Sequence, residues 1–134
     1  MAFLFLFKIW GVFVDKIHTV KKNYEFSDII HTGKFAKNEC YSLYIKGNGL
    51  SITRFGISVS KKLGNAVFRN KYKRQLRFII DKNKKYYQNG VDYIIIIRNG
   101  YVNLDFADKE KKYVNLIEKV NSYYKKEILN EEKK

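Results

Sequence analysis

The sequence predicts an α+β domain, with three helices packed on one small, mostly antiparallel sheet of about four strands. Two observations carry that expectation. Segments of helical and of strand-like spacing follow one another in the order helix, two strands, helix, strand, helix, which suits helices layered on a sheet. The chain has 134 residues, 46% of them hydrophobic, enough for a single domain with its own core.

Lys22 to His31 carries Tyr24, Phe26, Ile29 and Ile30 at an approximate helical spacing, and Gly33 is a stop signal. Phe35 to Lys46 and Ser51 to Ser60 hold β-branched and aromatic residues. Gly47-Asn48-Gly49 between them is turn chemistry, so these two segments are expected to form a hairpin. Asn65 is a natural N-cap for a helix from Ala66 to about Asp81. Val91 to Arg98 is an apolar run suited to a buried strand, ended by Asn99-Gly100. Asp105 to Leu129 is a last helix, with Tyr113, Leu116, Ile117, Val120 and Tyr124 as its apolar stripe.

No internal repeat or low-complexity linker points to a second domain. Residues 18–130 read as one domain, 131–134 as a charged tail and 1–17 as an apolar N-terminal extension. Ala2 to Val14, at 13 residues, falls short of the roughly 20 needed to span a bilayer. It also lacks the basic leading region and small-residue cleavage site of a signal peptide. One hypothesis is that translation starts further in, at a non-standard codon such as that of Val14, and that the apolar stretch is an artefact of the assigned start. Mass spectrometry of the natural protein decides this, and an intact Ala2–Val14 peptide would sink the idea. Cys40 is the only cysteine, which excludes an intramolecular disulfide and a cysteine zinc site. That fits a reducing compartment, and a cytoplasmic location is expected.

Charge says most about function. Lys and Arg number 27 against 13 Asp and Glu, a formal net charge of +14, with a pI near 9.8. A value above about 9 is a footprint of polyanion binding. A lysine-rich protein of biased composition would show the same totals, so the distribution has to decide. From Cys40 to Ile80 there is no acidic residue, while Lys46, Arg54, Lys61, Lys62, Arg69, Lys71, Lys73, Arg74 and Arg77 supply nine cations in 41 residues. A solvated helix normally mixes both signs for support at i,i+4.

On a helical wheel Phe68, Tyr72, Leu76 and Ile79 gather on one side, the expected core face. Arg69, Lys73 and Arg77 run beside them at i,i+4 spacing, joined by Asn70 and Arg74. Packing of the apolar side fixes the cations against a matching array of phosphates. Arginine suits this through its bidentate fork, and Asn70 adds a donor and acceptor for a sugar or base edge. From spacing alone, Phe26 and Tyr44 suit either a base-stacking platform on the open sheet face or a place in the core.

The segment Arg54 to Arg77 resembles the signature of the bacterial ribonuclease P protein component. It follows the pattern R-x-G-x-x-V-S-K-K-x-G-N-A-V-x-R-N-x-x-K-R-x-x-R throughout. A looser resemblance runs from about Val20 to Glu127 and includes Lys22-Asn23-Tyr24-Glu25-Phe26, Gly33 and Asp92 to Arg98. The resemblance implies an α/β sandwich with a left-handed β-α-β crossover, an exception to the usual right-handed rule. It also implies that the protein joins a catalytic RNA that removes the 5′ leader of precursor tRNA. The Mg²⁺ ions would be held mainly by that RNA and the substrate. By the same resemblance Arg54, Lys61, Lys62, Asn65, Arg69, Asn70, Lys73, Arg74 and Arg77 belong to the RNA-binding motif. Phe26 and Tyr44 match cleft positions that contact the leader. Ile30 stands there where a second Phe is frequent. Phe78 replaces a common Glu, Asn99 a frequent Pro, and the apolar start a usually basic one. These departures bear on leader preference and N-terminal contacts.

No side chain of the chain itself is expected to be catalytic. Metal-dependent nucleases need converging carboxylates, and the basic stretch has none. His18 and His31 show no ligand spacing. Asp105, Asp108 and Glu110 sit where acids complement a helix start. Ser58 and Ser60 have no nearby His to form a triad. Neither a membrane nor an obligate protein partner is implied. The rival from another class is a ribosomal or structural RNA-binding protein without any link to cleavage. It differs in the Lys61–Arg77 pattern and in affinity for a single-stranded leader. DNA binding is a weaker reading, since no helix-turn-helix pair is visible. All of these bind less tightly as salt rises.

Overall fold

The computed structural model describes residues 18–20 and 23–132, with side-chain surroundings as far as residue 122. The expected extension 1–17, its start and the side chain of Tyr124 lie outside the described residues. In chain order the elements are β1 (His18–Thr19), α1 (Asn23–Thr32), β2 (Lys34–Lys37), β3 (Tyr41–Gly47), β4 (Arg54–Val59), α2 (Ala66–Lys82), β5 (Val91–Ile97) and α3 (Phe106–Glu132). Short 3-10 turns lie at Lys61–Leu63, Lys84–Tyr86 and Asn99–Tyr101. Helix α3 runs through Glu132, so the first two residues of the expected tail are helical. Among the described residues no helix is long and apolar enough to cross a membrane.

The three helices and the single sheet appear where the spacing puts them, but the strand order differs from the expected hairpin. The order is β1-β4-β5-β3-β2. Strands β1, β4 and β5 run parallel, while β5 with β3 and β3 with β2 are antiparallel. The sheet is therefore mixed and five-stranded rather than mostly antiparallel. The cause lies in two segments. Phe35–Lys46 is itself a hairpin, β2 with β3, because Asn38 makes the turn. Its Oδ1 accepts from the backbone N–H groups of Cys40 and Tyr41, both at 2.9 Å. Strand β5 then separates β3 from β4. Val91 to Ile95 and Ile97 are all buried, and a strand apolar on both faces belongs in the middle of a sheet covered on both sides. The loop with Gly47-Asn48-Gly49 skirts the start of β5, where Asn48 N–H donates to the Gly90 carbonyl at 2.8 Å.

One face of the sheet meets α2 and α3. Tyr41, Leu43, Ile45, Phe55, Tyr93, Ile95 and Ile97 pack there with Tyr72, Leu76, Ile79 and Ile80 of α2 and with Tyr113, Leu116, Ile117 and Val120 of α3. Each such aliphatic side chain contributes about 1.5–3 kcal/mol when fully buried. The other face carries a smaller cluster under α1, where Val20, Ile29 and Ile94 are buried and Phe26, Ile30, Tyr44 and Ile96 pack against them. At the end of α1 the chain presses on β3. A Cβ on Gly33 would lie 2.5 Å from the Ile29 carbonyl oxygen and 2.6 Å from that of Ile45, so only glycine fits.

Phe68 departs from its expected place on the core face, being 49% exposed. The inward side of α2 is Tyr72, Leu76, Ile79 and Ile80. The Phe68 side chain lies over Gly64 instead, where an added Cβ would be 3.1 Å from that of Phe68. Gly64 has φ +141°, a conformation that L side chains rarely adopt.

Candidate nucleic-acid interface

Local capping sets the start of α2. Ser60 Oγ accepts from the Lys62 N–H at 3.2 Å and holds the 3-10 turn that carries Lys61 and Lys62. Asn65 Oδ1 accepts from the Phe68 N–H at 3.2 Å, the expected N-cap. Below the helix, Tyr101 meets the Tyr72 ring edge-on at 5.3 Å, and its hydroxyl donates to Gln75 Oε1 at 2.7 Å. Lys109 of α3 reaches in as well, its ammonium 4.3 Å from the centre of the Tyr101 ring. Burial, and then the charge of Lys71, pull the pKa of Lys109 down. Helix α2 is thus fixed from beneath by aromatic packing and hydrogen bonds to its neighbours.

Its outer surface is cationic. Lys61, Lys62, Asn65, Asn70, Lys71, Arg74 and Arg77 are exposed, and Arg69 and Lys73 are half-buried. Two of the nine cations from the acid-free stretch are matched by acids from outside it. Lys46 pairs with Asp28 at 2.5 Å. Arg54 makes a two-point contact to Asp92, Nε to Oδ1 at 2.8 Å and Nη2 to Oδ2 at 2.6 Å, and a third bond to Glu25 at 3.1 Å. Nine less two leaves seven, namely Lys61, Lys62, Arg69, Lys71, Lys73, Arg74 and Arg77. Among the described residues none of these forms an ion pair with a carboxylate. Arg69 Nε is buried without a hydrogen-bond partner among the described residues.

Arg54, grouped with the binding cations by sequence, is therefore set apart from them. It lies on the sheet face, and its charge is already matched by Asp92, 3% exposed, and by Glu25. The carboxylates keep the guanidinium protonated, its pKa raised by the hydrogen bond to Asp92 first.

Phe26, Ile30 and Tyr44 are brought together, each half-buried, on the face of the sheet that α1 partly covers. Gly56 makes this possible. An added Cβ would lie 2.6 Å from Ile94 Cδ1 and 2.9 Å from Phe26 Cε2. Sequence reasoning missed Phe35, an exposed ring that stacks on Tyr44 at 4.9 Å with an interplanar angle of 29°. The signal was the Asn38 turn, which puts Phe35 opposite Tyr44 in the β2–β3 register. Ser58 and Ile96 are paired further along the same face. They lie at the end of β4 from which Lys61, Lys62 and α2 lead off. A polyanion strand leaving the aromatic face at that end therefore meets cations.

The remaining polar candidates take structural places. His31 Nδ1 bonds the Ser27 carbonyl oxygen at 2.7 Å within α1. Asp105 Oδ1 accepts from the Asp108 N–H at 2.9 Å at the start of α3. The assembled site can bind and orient a polyanion.

The model of the family described as Ribonuclease P matches residues 14–121. The chain belongs to the ribonuclease P protein family. It is 42% identical over 102 residues to the ribonuclease P protein component of Mycoplasma mycoides, which covers 75% of this chain and 94% of that one. The counterpart in Clostridium botulinum is 38% identical over 112 residues, covering 81% and 98%. The solved ribonuclease P protein of Staphylococcus aureus superposes with a TM-score of 0.70 at 33% identity, over 77% of this chain and 94% of that one. The Thermotoga maritima protein gives 0.70 at 31%, over 77% and 97%. The chain is accordingly a protein subunit of ribonuclease P, the endoribonuclease that matures the 5′ ends of tRNA, and its partner is the RNA subunit of that enzyme.

Proposed function

We propose that α2 docks on the ribonuclease P RNA through Lys61, Lys62, Asn65, Arg69, Asn70, Lys73, Arg74 and Arg77. On the same reading, the sheet face with Phe26, Ile30 and Tyr44 takes the single-stranded 5′ leader of precursor tRNA. The observation that carries this is the set of seven cations unmatched by any described carboxylate, on a helix locked from beneath. Each cation placed against a phosphate releases a condensed counterion, so affinity falls with salt. Unpaired bases stack on exposed rings at about 1–3 kcal/mol each, whereas base-paired nucleotides offer no free face. The leader is the unpaired part of the substrate. The protein's part is positioning, while Mg²⁺, held mainly by the RNA and the substrate, would supply the activation of the attacking water. A single, buried cysteine suits a reducing cytoplasm.

The test is cleavage of precursor tRNA at low Mg²⁺ by the RNA subunit from the same organism, with and without this protein. Restored cleavage at the mature 5′ end supports the reading. RNA binding that leaves cleavage unchanged would return the chain to a structural RNA-binding role. Two substitutions divide the site. Arg69→Ala and Arg74→Ala should weaken binding to the RNA subunit with the circular dichroism spectrum kept. Tyr44→Ala should weaken precursor binding roughly tenfold while sparing mature tRNA. Equal losses on both ligands would remove the leader from this face.

A further inference from the structure

A second pair of rings lies on the other side of the molecule from the leader face. Phe78 of α2 and Phe106, the first residue of α3, meet at 5.8 Å with a 55° tilt. They are 50% and 38% exposed. Phe78 is also a residue where the sequence departs from the pattern it otherwise follows. Burial does not account for these rings, since the core of this side is complete in Tyr72, Leu76, Ile79 and Ile80 below them. At about 100° per residue, Phe78 lies about 40° from Arg74, 20° from Lys71 and 40° from Lys82 on the outer surface of α2. Lys82 is engaged by Glu110 at 3.1 Å, while Lys71 and Arg74 have no carboxylate partner among the described residues. The patch is therefore an apolar, π-faced platform with unmatched cations on its α2 side and the exposed carboxylate of Asp105 beside Phe106.

Rings beside unmatched cations fit one class of ligand well, a nucleotide whose base is out of the stack and whose phosphate is at hand. A second copy of this chain fits poorly, since it would bring a net charge of +14 against a cationic rim. We propose that Phe78 and Phe106 form a second base-stacking site, which holds an unpaired nucleotide of the ribonuclease P RNA while Arg74 and Lys71 contact its phosphates. This rests on the docking of α2 proposed above and extends it from the cation row over the crest of the helix.

The test is binding of the RNA subunit at fixed salt and over a salt series. Phe78→Ala should weaken binding about tenfold and leave the slope of log K against log salt unchanged. Arg74→Ala should reduce that slope, because it removes a phosphate contact. Phe78→Tyr should restore affinity and Phe78→Leu should not, since leucine keeps apolar area but has no π face. In chemical probing of the bound RNA, one unpaired base should lose its protection with Phe78→Ala and regain it with Phe78→Tyr. Circular dichroism checks that each variant is folded. Should Phe106→Ala unfold, the three Phe78 variants carry the test. Wild-type affinity for Phe78→Ala beside a weakened Arg74→Ala would overturn this inference and leave the docking of α2 standing. If Arg74→Ala is also without effect, both fall. If Phe78→Ala instead abolishes a dimer seen by sedimentation, with RNA affinity unchanged, the patch is a self-association surface and the inference is overturned.

Discussion

Arg54 and Asp92 show how little a residue's type says about its task until its neighbours are known. The guanidinium holds a buried carboxylate that, among the described residues, otherwise accepts from Asn48 Nδ2, at 2.8 Å. Arg54→Ala would leave Asp92 in the sheet with its charge uncompensated, and it should cost about 3 kcal/mol of stability. Urea unfolding measures that loss. RNA affinity, measured where the variant is still folded, should stay near that of the parent protein. A large loss of affinity with unchanged stability would put Arg54 back among the binding cations. Asp92 was hard to interpret in the sequence because an acid near the start of an otherwise apolar strand looks like an interruption. Its partners come from β4 and from the loop after β3, and neither is its neighbour in sequence.

For whole elements, legibility followed the range of the forces involved. Helix α2 could be read because an N-cap and an i,i+4 row are rules between residues three or four apart, and Asn65 and the Arg69–Arg77 row obey them. The β2–β3 hairpin was hidden because its turn is made by the Asn38 side chain, with no glycine or proline to mark it. Phe35 was lost with it. The pairing of β3 with β5 depends on which strand is apolar on both faces, a comparison between segments far apart in the chain. Phe68 obeys the wheel but lies one turn before the stretch of α2 that reaches the core. The seat of α1 depends equally on one distant residue. Gly56→Ala would drive a methyl group into Ile94 and Phe26. It should destabilise the protein by about 1–3 kcal/mol and lower precursor affinity more than affinity for the RNA subunit, because the displaced element carries Phe26 and Ile30 of the proposed leader face. Equal effects on the two ligands would show that α1 does not position the leader.

The molecule as a whole has an alkaline weakness. Burial pushes the phenols of Tyr41, Tyr87, Tyr101 and Tyr113 above their ordinary value. In the unfolded chain each ionises near pH 10, so above that pH the folded state binds more protons than the unfolded one. The contribution of these four phenols to stability is therefore complete below about pH 10 and falls as pH rises beyond it. Lys109 has the opposite sign, since its lowered pKa makes the unfolded chain the better proton binder as pH approaches its ordinary value. It stands against the four phenols and the buried Cys40 thiol, which burial also pushes up. Urea midpoints taken across the alkaline range should drop, and the share of tyrosinate absorbance owed to these four of the eleven phenols should appear only as the protein unfolds. A flat midpoint would mean that these phenols ionise in place.

The late position of β5 in the chain has a consequence for synthesis. Both the β3 side and the β4 side of the sheet need β5 as their common neighbour. A nascent chain that ends before Val91 therefore already displays every cation of α2, with no surface to hold them in register. Until β5 emerges, that chain is a flexible polycation, attracted to any RNA nearby and selective for none. On the proposed docking of α2, discrimination among RNAs would arrive with a strand that carries no basic residue.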